Sequence, residues 1–341
     1  MFQQMMELSK ILLLVISVVA KDQLLNLSKT QLNQVKGLKK LLANMEGVYP
    51  TCNMVLFSET VDYYTADERC KKFSLGTGKR LEGNLATVSN EEKNIDLKLL
   101  LGMAYETSSG KWADEEWVWV GLRKTKNNKA RQKGQEYNAK DWSWADGTTP
   151  QDFNIWMKDQ PDQKISKIDG VKYLQNQLRI NHKGEWDDTY AYRTHPYACD
   201  YHGKYVLSAT LKSWSNAKSA CEDAGLTMAK VRNSQEIEEI TAAGQYFLGP
   251  VNETLRIYDP TNWIWLGGND ADEESIWNWN DGKAIKWFDE MPWREPQPDN
   301  SDLMSGGKTQ NYLAISKWGE FDDSFDTPKR ERPFACQCPG T

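Results

Sequence analysis

The hydrophobic pattern of this chain changes from helical to strand-like spacing twice. Each half begins with helix-period segments, the first of which carries a cysteine, Cys70 in one half and Cys221 in the other. Short runs of alternating Trp, Val, Ile and Leu follow, as at residues 117–122 and 263–268, and they are broken by Gly, Asp, Asn and Pro. Alternating apolar residues between turn residues are typical of strands. The pattern therefore predicts an α+β fold in each half, with two helices before a loop-rich antiparallel sheet.

The second helix of each half is predicted to begin at a capping box. Ser89 precedes Glu92 by three residues, and Asn233 precedes Glu236 by the same spacing. In this arrangement the cap side chain accepts a hydrogen bond from the backbone of the first turn.

The two halves are copies of one another. Segments within residues 65–199 and 214–336 align in the same order: WVWVG with WIWLG, WSWADG with WNWNDG, QPD with QPD, GEWDD with GEFDD, and PYAC with PFAC. Because so many pieces recur in one order, the sequence predicts two homologous domains joined by the short stretch 200–203.

Composition excludes several classes of function. The chain has 341 residues, 3 His, 15 Trp and a net charge of −6. An acidic balance argues against a nucleic-acid partner, and so few histidines argue against zinc or a histidine-dependent active site. No nucleophile pattern or phosphate-binding glycine loop is evident, so we do not expect an enzyme. Most of the tryptophans are expected in the cores, while Trp156 and Trp293 are expected to support the loops near QPD.

The N-terminus predicts secretion. Residues 11–20 are an apolar run, too short to span a membrane, after Lys10. We interpret residues 1–20 as a signal peptide, with an uncleaved anchor as the alternative and no membrane span once the peptide is removed. Residues 21–48 have a helical period. They predict a short helix lying on the first domain or, alternatively, a weak oligomerisation helix.

Six cysteines in a secreted chain indicate up to three disulfides. Two sequons, at Asn26 and Asn252, are candidate glycosylation sites.

These residues, taken in their order, resemble the C-type lectin-like domain, present twice, at 49–199 and 203–338. The resemblance is carried by the helix cysteine, the WVWVG-like strand, QPD, the triplet before the last strand (Trp186-Asp187-Asp188 and Phe321-Asp322-Asp323) and the final aromatic-x-Cys. It covers nearly all of the chain after the signal peptide.

The resemblance implies that Cys70 pairs with Cys199 and Cys221 with Cys336. Cys52 and Cys338 remain, and they form a bridge across the domain junction, an intermolecular bridge or two free thiols. Members of the family usually carry a second, inner disulfide beside the binding site. Neither copy has it, and Gln177 and Tyr312 stand about where one of its cysteines is expected.

The resemblance also places a Ca²⁺ site in each copy. Oxygen donors suit calcium, which takes 6–8 oxygen ligands. The candidate metal ligands are Gln160, Asp162, Gln175, Asp187 and Asp188 in the first copy, and Gln297, Asp299, Gln310, Asp322 and Asp323 in the second. Gln160–Pro161 and Gln297–Pro298 are expected to be cis, which would bring the flanking side chains onto one ion.

Sugar hydroxyls would replace calcium-bound waters and bond to the same side chains. The candidate carbohydrate ligands are Gln160, Asp162, Asp187, Gln297, Asp299 and Asp322. In the family, QPD accompanies a preference for galactose over mannose, although the tryptophan usual after the triplet is missing here. Gln175 and Gln310 stand where Glu is common, and an amide in place of a carboxylate lowers calcium affinity.

The sequence thus predicts a secreted calcium-dependent lectin that binds galactose-type glycans or glycoproteins on pathogens or cell surfaces. The alternative is a calcium-independent protein-interaction module with the same fold, which the missing Glu and inner disulfide favour. A third class, a glycan hydrolase, would need paired carboxylates on the two sides of a cleft.

Overall fold

The computed structural model describes residues 33, 36–37, 48–72, 83–107, 117–126, 137–150, 153–201, 203–300 and 309–338. Within these residues there are two seven-stranded sheets, one two-stranded sheet and two long helices in each half of the chain. The expected α+β class is confirmed. The predicted signal peptide and the sequon at Asn26 lie outside the described residues.

The first half, domain 1, opens with a strand pair and two helices and then forms the rest of its sheet. Its elements are β1 (Val48–Pro50), β2 (Met54–Val61), α1 (Tyr63–Lys72), α2 (Glu91–Thr107), β3 (Trp117–Lys124), β4 (Trp142–Ser143), β5 (Ile165–Ile168), β6 (Val171–Leu174), β7 (Gln177–Asn181), β8 (Trp186–Thr189) and β9 (His195–Asp200).

The second half, domain 2, follows the same plan. Its elements are β10 (Tyr205–Lys212), α3 (Trp214–Asp223), β11 (Thr227–Met228), α4 (Ser234–Phe247), β12 (Trp263–Asn269), β13 (Asn278–Trp279), β14 (Tyr312–Ser316), β15 (Phe321–Ser324) and β16 (Arg332–Gln337).

Strand order is the same in the two sheets, β2-β9-β3-β7-β8 in domain 1 and β10-β16-β12-β14-β15 in domain 2. This shared topology confirms the internal repeat at the level of structure. The sheets are mostly antiparallel, as expected, but each contains one parallel contact, between β3 and β9 and between β12 and β16. The chain reaches these contacts by long connections, which a local sequence pattern does not reveal.

The predicted cap is confirmed for α4 of domain 2, whereas the cap of α2 in domain 1 lies one residue further along the chain. In α4 the Asn233 side chain accepts from the Glu236 N–H at 3.0 Å, as expected. The Glu236 carboxylate, however, accepts from the Arg232 N–H rather than from Asn233. In α2 the cap is Asn90, which accepts from the Lys93 N–H at 2.9 Å. The prediction of Ser89 as the cap was therefore wrong, because the neighbouring Asn has an equally good acceptor one position closer to the helix.

Tryptophans build both cores, as expected. Eight tryptophans lie in the repeated segments WVW, WSW, WIW and WNW. Seven of them are buried, and Trp117 is half-buried. Trp119 and Trp265, at matching positions, each donate an indole N–H at 2.9 Å to the carbonyl at the end of the first long strand, Val61 and Lys212. Each ring therefore contributes apolar area while its polar atom stays bonded, which is what a buried tryptophan requires.

Three disulfides hold the described chain together: Cys70–Cys199, Cys221–Cys336 and Cys52–Cys338. The first two confirm the pairing within each domain. The third decides between the open alternatives for Cys52 and Cys338, because it ties the start of domain 1 to the end of domain 2. One continuous hydrophobic cluster contains Leu56 of domain 1 and Val206 of domain 2, so the two cores meet at this junction.

The described part of the N-terminal segment contacts the second domain at Gly37. Of residues 21–48 the structure describes residues 33, 36 and 37 as helical and residue 48 as the start of β1. Gly37 is buried so closely that a Cβ there would lie 2.3 Å from the carbonyl of Asp223, at the end of α3. The sequence predicted a contact with domain 1, whereas the contact described at Gly37 is with domain 2.

The bridge at the junction predicts a measurable loss of stability. Cys52 and Cys338 are 286 residues apart. The other two disulfides shorten the loop that this bridge closes, and the chain-entropy model attributes about 4 kcal/mol to closing it. We expect the Cys52→Ala, Cys338→Ala protein to keep its fold but to unfold at lower urea concentration. Tryptophan fluorescence measures this change. An unchanged urea midpoint would show that domain packing alone holds the junction.

Candidate functional site

In domain 1 the QPD turn is bonded to a buried carboxylate. Asp188 lies at the inner end of the site, and its two oxygens accept from the backbone N–H groups of Asp162 at 2.9 Å and Gln163 at 2.8 Å. The Asp162 N–H also donates to Gln160 Oε1 at 2.9 Å. Gln175 Oε1 accepts from the Lys164 N–H at 3.1 Å. The structure thus brings Gln160, Asp162, Gln175 and Asp188 together.

Domain 2 repeats this network with other side chains. Asp323 Oδ2 accepts from the Asn300 N–H at 2.9 Å, and Asn300 Oδ1 accepts from the Gln310 N–H at 2.8 Å. The Gln310 amide donates to Asp299 Oδ1 at 2.8 Å, and the Asp299 N–H donates to Gln297 Oε1 at 3.0 Å. Four of the five candidate ligands are therefore linked, and the fifth is Asp322.

The Gln160–Pro161 and Gln297–Pro298 bonds are cis, as expected, and the Glu295–Pro296 bond is cis as well. The residue after each triplet has a left-handed backbone, with φ of 50° at Gln163 and 42° at Asn300. This conformation is uncommon outside glycine, and Asn tolerates it better than most residues. It turns the backbone N–H of both residues toward the buried Asp188 or Asp323.

The first aspartate of each DD pair lies against arginine. Asp187 Oδ2 accepts from Arg179 at 2.7 and 2.9 Å. Asp322 accepts from Arg294 at 2.9 Å on one oxygen and from Arg332 at 3.4 Å on the other. The hydrogen bonds of Asp187 and Asp322 thus go to arginines, whereas Asp188 and Asp323 accept from the QPD loop. The charge of Asp162 in the QPD turn nevertheless acts on Asp187.

The two domains differ most at a position that sequence reasoning missed. The last residue of the aligned strand is Lys124 in domain 1, and the matching position in domain 2 is Asp270. Their N–H groups donate to matching carbonyls, Asn176 at 2.8 Å and Asn311 at 3.2 Å. Direct comparison of WVWVGLRK with WIWLGGND would have revealed this exchange of charge.

Domain 2 contains buried oxygens that suit a cation. Asp270 is 3% exposed and Asp323 is 1% exposed. One oxygen of each, Oδ1, and the Oδ1 of Asn311 have no hydrogen-bond partner among the described residues. A buried carboxylate oxygen without a donor is costly. Oxygens of this kind suit calcium, which prefers carboxylate and amide ligands, although the described residues contain no group of three or more His, Cys, Asp or Glu side chains that could hold a metal ion.

Burial perturbs the ionisation of these groups. It raises the pKa of Asp188 to about 7, even though the N–H groups of Gln163 and Asp162 lower it. It raises the pKa of Asp323 to about 6 and that of Asp270 to about 6. Burial lowers the pKa of Lys124, and the charges of Asp141 and Asp188 oppose that change.

In domain 1 the loop beside the site is a β-hairpin. Strands β5 and β6 pair from Ile165↔Leu174 to Ile168↔Val171 around a turn at Asp169 and Gly170, both with positive φ. Asp-Gly between alternating residues is a signal for such a hairpin that our sequence reasoning did not use. The backbone pairing of the hairpin holds together a loop that lacks the inner disulfide.

Other side chains stand where a cysteine of the inner disulfide is expected. In domain 1 this residue is the buried Gln177, and in domain 2 it is Tyr312, which packs on Trp214.

Aromatic and apolar side chains accompany this hairpin. Tyr192 packs against Tyr173 and Tyr190, with ring centroids 5.0 and 5.3 Å apart. Ile168 and Val171 at the hairpin tip are exposed. Trp156 and Trp293, the two tryptophans expected near the QPD loops, are half-buried. They pack on Trp186 and Trp277, respectively. They support the core beneath the QPD turns, as expected.

The second sequon is accessible. Asn252 is exposed, and its amide donates to Asp259 at 2.7 Å. Its glycosylation remains a prediction.

Comparison with known proteins finds similar sequences among the lectins. No protein-family model matches the chain. Nattectin, a galactose-specific lectin from Thalassophryne nattereri, is 33% identical over 86 residues, which are 25% of this chain and 46% of nattectin. Ladderlectin from Oncorhynchus mykiss is 29% identical over 121 residues, which are 35% of this chain and 55% of ladderlectin. The chain is thus similar in sequence to lectins over part of its length. It spans about half the length of these two relatives.

Other C-type lectins match more weakly. The C-type mannose receptor 2 of Homo sapiens is 22% identical over 188 residues, which are 47% of this chain and 11% of the receptor. Among solved structures, the human scavenger receptor C-type lectin carbohydrate-recognition domain is 21% identical, with a TM-score of 0.31, and the match covers 39% of this chain and 88% of that one. The C-type lectin CEL-I from Cucumaria echinata is 18% identical, with a TM-score of 0.32, over 46% of this chain and 94% of its own.

The raised pKa of Asp323 predicts how the calcium-free protein responds to pH. Burial raises its pKa to about 6 in the folded chain, against an ordinary value of 3.8. The folded state therefore holds the proton more tightly, and stability falls as pH rises from about 4 to 6. Asp323→Asn should remove this loss and stabilise the protein above pH 6 by up to about 3 kcal/mol. Urea unfolding in EDTA at pH 4 and pH 8 measures the difference.

The matched control for this experiment is Asp272→Asn, which changes an exposed carboxylate of the same domain. We expect this variant to follow the parent protein at both pH values. An Asp323→Asn protein no more stable than the parent at pH 8 would contradict the expected cost of the buried charge.

Proposed function

We propose that this protein is a secreted, calcium-dependent lectin that binds galactose-type glycans or glycoproteins on cell or pathogen surfaces. The observation that carries the proposal is the buried, unpartnered Oδ1 of Asp323, whose other oxygen accepts from the backbone of the loop that begins at the QPD turn. A divalent cation would balance charges that no described side chain balances.

Calcium would be held in domain 2 at the QPD network. Asp323 would supply a buried carboxylate, and Gln297, Asp299 and Gln310 would supply oxygens from the linked side chains. Bound calcium would supply open coordination positions for two neighbouring sugar hydroxyls. The residues of the chain would orient those hydroxyls, since Asp299 is exposed and accepts hydrogen bonds while the Gln297 amide both donates and accepts them.

Two observations favour galactose over mannose. The triplet is QPD in both copies, and nattectin, which is described as galactose-specific, is among the relatives of the chain. In domain 1 the cluster of Tyr173, Tyr190 and Tyr192 places aromatic rings at the hairpin that follows the QPD turn. Such rings suit the apolar face of a sugar.

Secretion is supported by the three disulfides, which persist in oxidising compartments. Among the described residues, no helix combines the length and the apolar character needed to cross a membrane.

The second candidate is a protein-interaction module that needs no calcium. It is favoured by the arginines that engage both oxygens of Asp322, a candidate ligand of both metal and sugar. The exposed Ile168 and Val171 at the hairpin tip would suit an apolar partner. Under this alternative, calcium would not raise the melting temperature of the protein.

A glycan array with the full chain tests the proposed function. We expect binding to galactose-terminated glycans in calcium chloride and loss of that binding in EDTA. Asp299→Asn should weaken binding at least tenfold, or about 1.4 kcal/mol, because it removes a carboxylate of the QPD turn. The exposed Asp272→Asn serves as the control and should bind as the parent does. Binding that persists in EDTA, or no glycan binding at all, would overturn the proposal.

A further inference from the structure

The hairpin of β5 and β6 carries the exposed aliphatic side chains of domain 1. Ile165, Ile168 and Val171 are 48%, 40% and 53% exposed, and no other Leu, Ile or Val side chain that the structure describes in domain 1 is exposed. Ile168 and Val171 are cross-strand partners on the two sides of the turn. Apolar side chains gathered at one exposed place, outside the seven-stranded sheet of the domain, indicate a contact with something beyond the domain.

Two lysines lie opposite each other one step behind this tip. Lys167 pairs with Lys172 in the register of the hairpin. Like charges directly opposite one another in an antiparallel pair are destabilising. Both lysines are exposed, and neither forms an ion pair with a residue of the described ranges, whereas Lys164 at the base of the hairpin pairs with Asp162. An anion bound between the two ammonium groups would remove their repulsion.

The hairpin is locally basic in an acidic protein. Residues 164–175 contain three lysines and one aspartate, whereas the whole chain has a net charge of −6. At the base of the hairpin, Arg193 lies over the ring of Tyr192, 5.9 Å from its centroid, and Tyr192 packs on Tyr173. Because physiological salt screens exposed charges beyond about 8 Å, a surface that approaches the hairpin meets its positive charge. The hairpin is therefore complementary to an anionic partner.

The combination of charge and apolar surface selects the kind of partner. An acidic glycan would engage the two lysines and leave Ile168 and Val171 in water. An apolar protein surface would cover Ile168 and Val171 and leave the ammonium groups without anions. The surface of an anionic bilayer engages both, since lysine stems extend along apolar surface while their charged ends reach the phosphates. Tyrosines such as those at the hairpin base are enriched where membrane meets water.

We propose that the β5–β6 hairpin docks domain 1 on membranes that contain anionic phospholipid. Ile168 and Val171 enter the boundary between headgroups and acyl chains, and Lys167 and Lys172 bind lipid phosphates. Strand residues rise about 3.3 Å each, so the lysine pair and the tyrosines behind it lie within the depth of about 5–10 Å that interfacial segments reach. The charge of Asp169 in the turn keeps this contact shallow. The docking needs neither calcium nor sugar and is therefore independent of the function proposed above.

Co-sedimentation of the full chain with vesicles tests the proposal. The vesicles are phosphatidylcholine alone or phosphatidylcholine with phosphatidylserine, and EDTA is present throughout. We expect binding to the mixed vesicles and little binding to the neutral ones. The Lys167→Gln, Lys172→Gln protein should bind about 25-fold more weakly, because each lysine near an anionic membrane contributes about fivefold. The Ile168→Ser, Val171→Ser protein should bind about tenfold more weakly, because it removes apolar area from the contact.

Matched controls change the same residue types elsewhere. Lys140 and Lys183 are exposed lysines of domain 1 outside the hairpin, and Leu255 and Ile276 are exposed apolar residues of domain 2. The Lys140→Gln, Lys183→Gln and the Leu255→Ser, Ile276→Ser proteins should bind as the parent does. Near-ultraviolet circular dichroism checks that each variant is folded.

A gain of binding is expected from the turn. Asp169→Asn removes the acidic charge at the tip and keeps a residue that tolerates the left-handed backbone found there. This variant should bind the mixed vesicles about fivefold more tightly than the parent does.

A fluorescent label distinguishes insertion from adsorption by charge. The three disulfides use all six cysteines of the chain, so Val171→Cys provides a single thiol for a polarity-sensitive fluorophore. Its emission should shift to the blue with mixed vesicles, and a label at Lys183→Cys should not respond.

Several outcomes would overturn the proposal. One is a parent protein that binds neither kind of vesicle. Another is equal binding to neutral and mixed vesicles, which would remove the role of the lysines. An Ile168→Ser, Val171→Ser protein that binds as tightly as the parent, or a Val171→Cys label that does not respond, would show adsorption by charge alone. Binding to a sulfated polysaccharide without binding to vesicles would identify the hairpin as an acidic-glycan site instead.

Discussion

In each domain a carboxylate is buried beneath the loop that begins at the QPD turn, and the shape of that loop depends on how its charge is balanced. Asp188 and Asp323 are 0% and 1% exposed. Backbone N–H groups of the loop donate to both, and the left-handed residues Gln163 and Asn300 turn the chain so that these bonds can form. A buried charge without such donors would be costly. The carboxylate therefore organises the loop, and the loop in turn presents the exposed side chains of the QPD turn.

The features that sequence predicted well are those set by covalent chemistry and by repetition. The order of matching pieces reveals two domains because each copy must bury the same core, as the matching indole bonds of Trp119 and Trp265 illustrate. The family resemblance supplied two disulfides and the cis prolines. The third disulfide needed the structure, since only the placement of the domains brings Cys52 to Cys338.

The site was harder to predict because its charges depend on neighbours that are distant in sequence. Asp187 and Asp188 are adjacent in the chain, yet they lie on opposite faces of β8, where Arg179 engages one and the QPD loop engages the other. A motif read as a string of letters treats the two aspartates alike, whereas in the structure their hydrogen bonds go to different partners. Lys124 belongs to no motif, and its difference from Asp270 is evident only when the two copies are compared.

Two copies that share a backbone but differ in one buried charge can respond differently to the same solution. The bridge between Cys52 and Cys338 and the packing of Tyr201 on Phe247, with ring centroids 6.0 Å apart, join the domains into one unit. In such a unit, binding by one domain raises the effective concentration of ligand at the other.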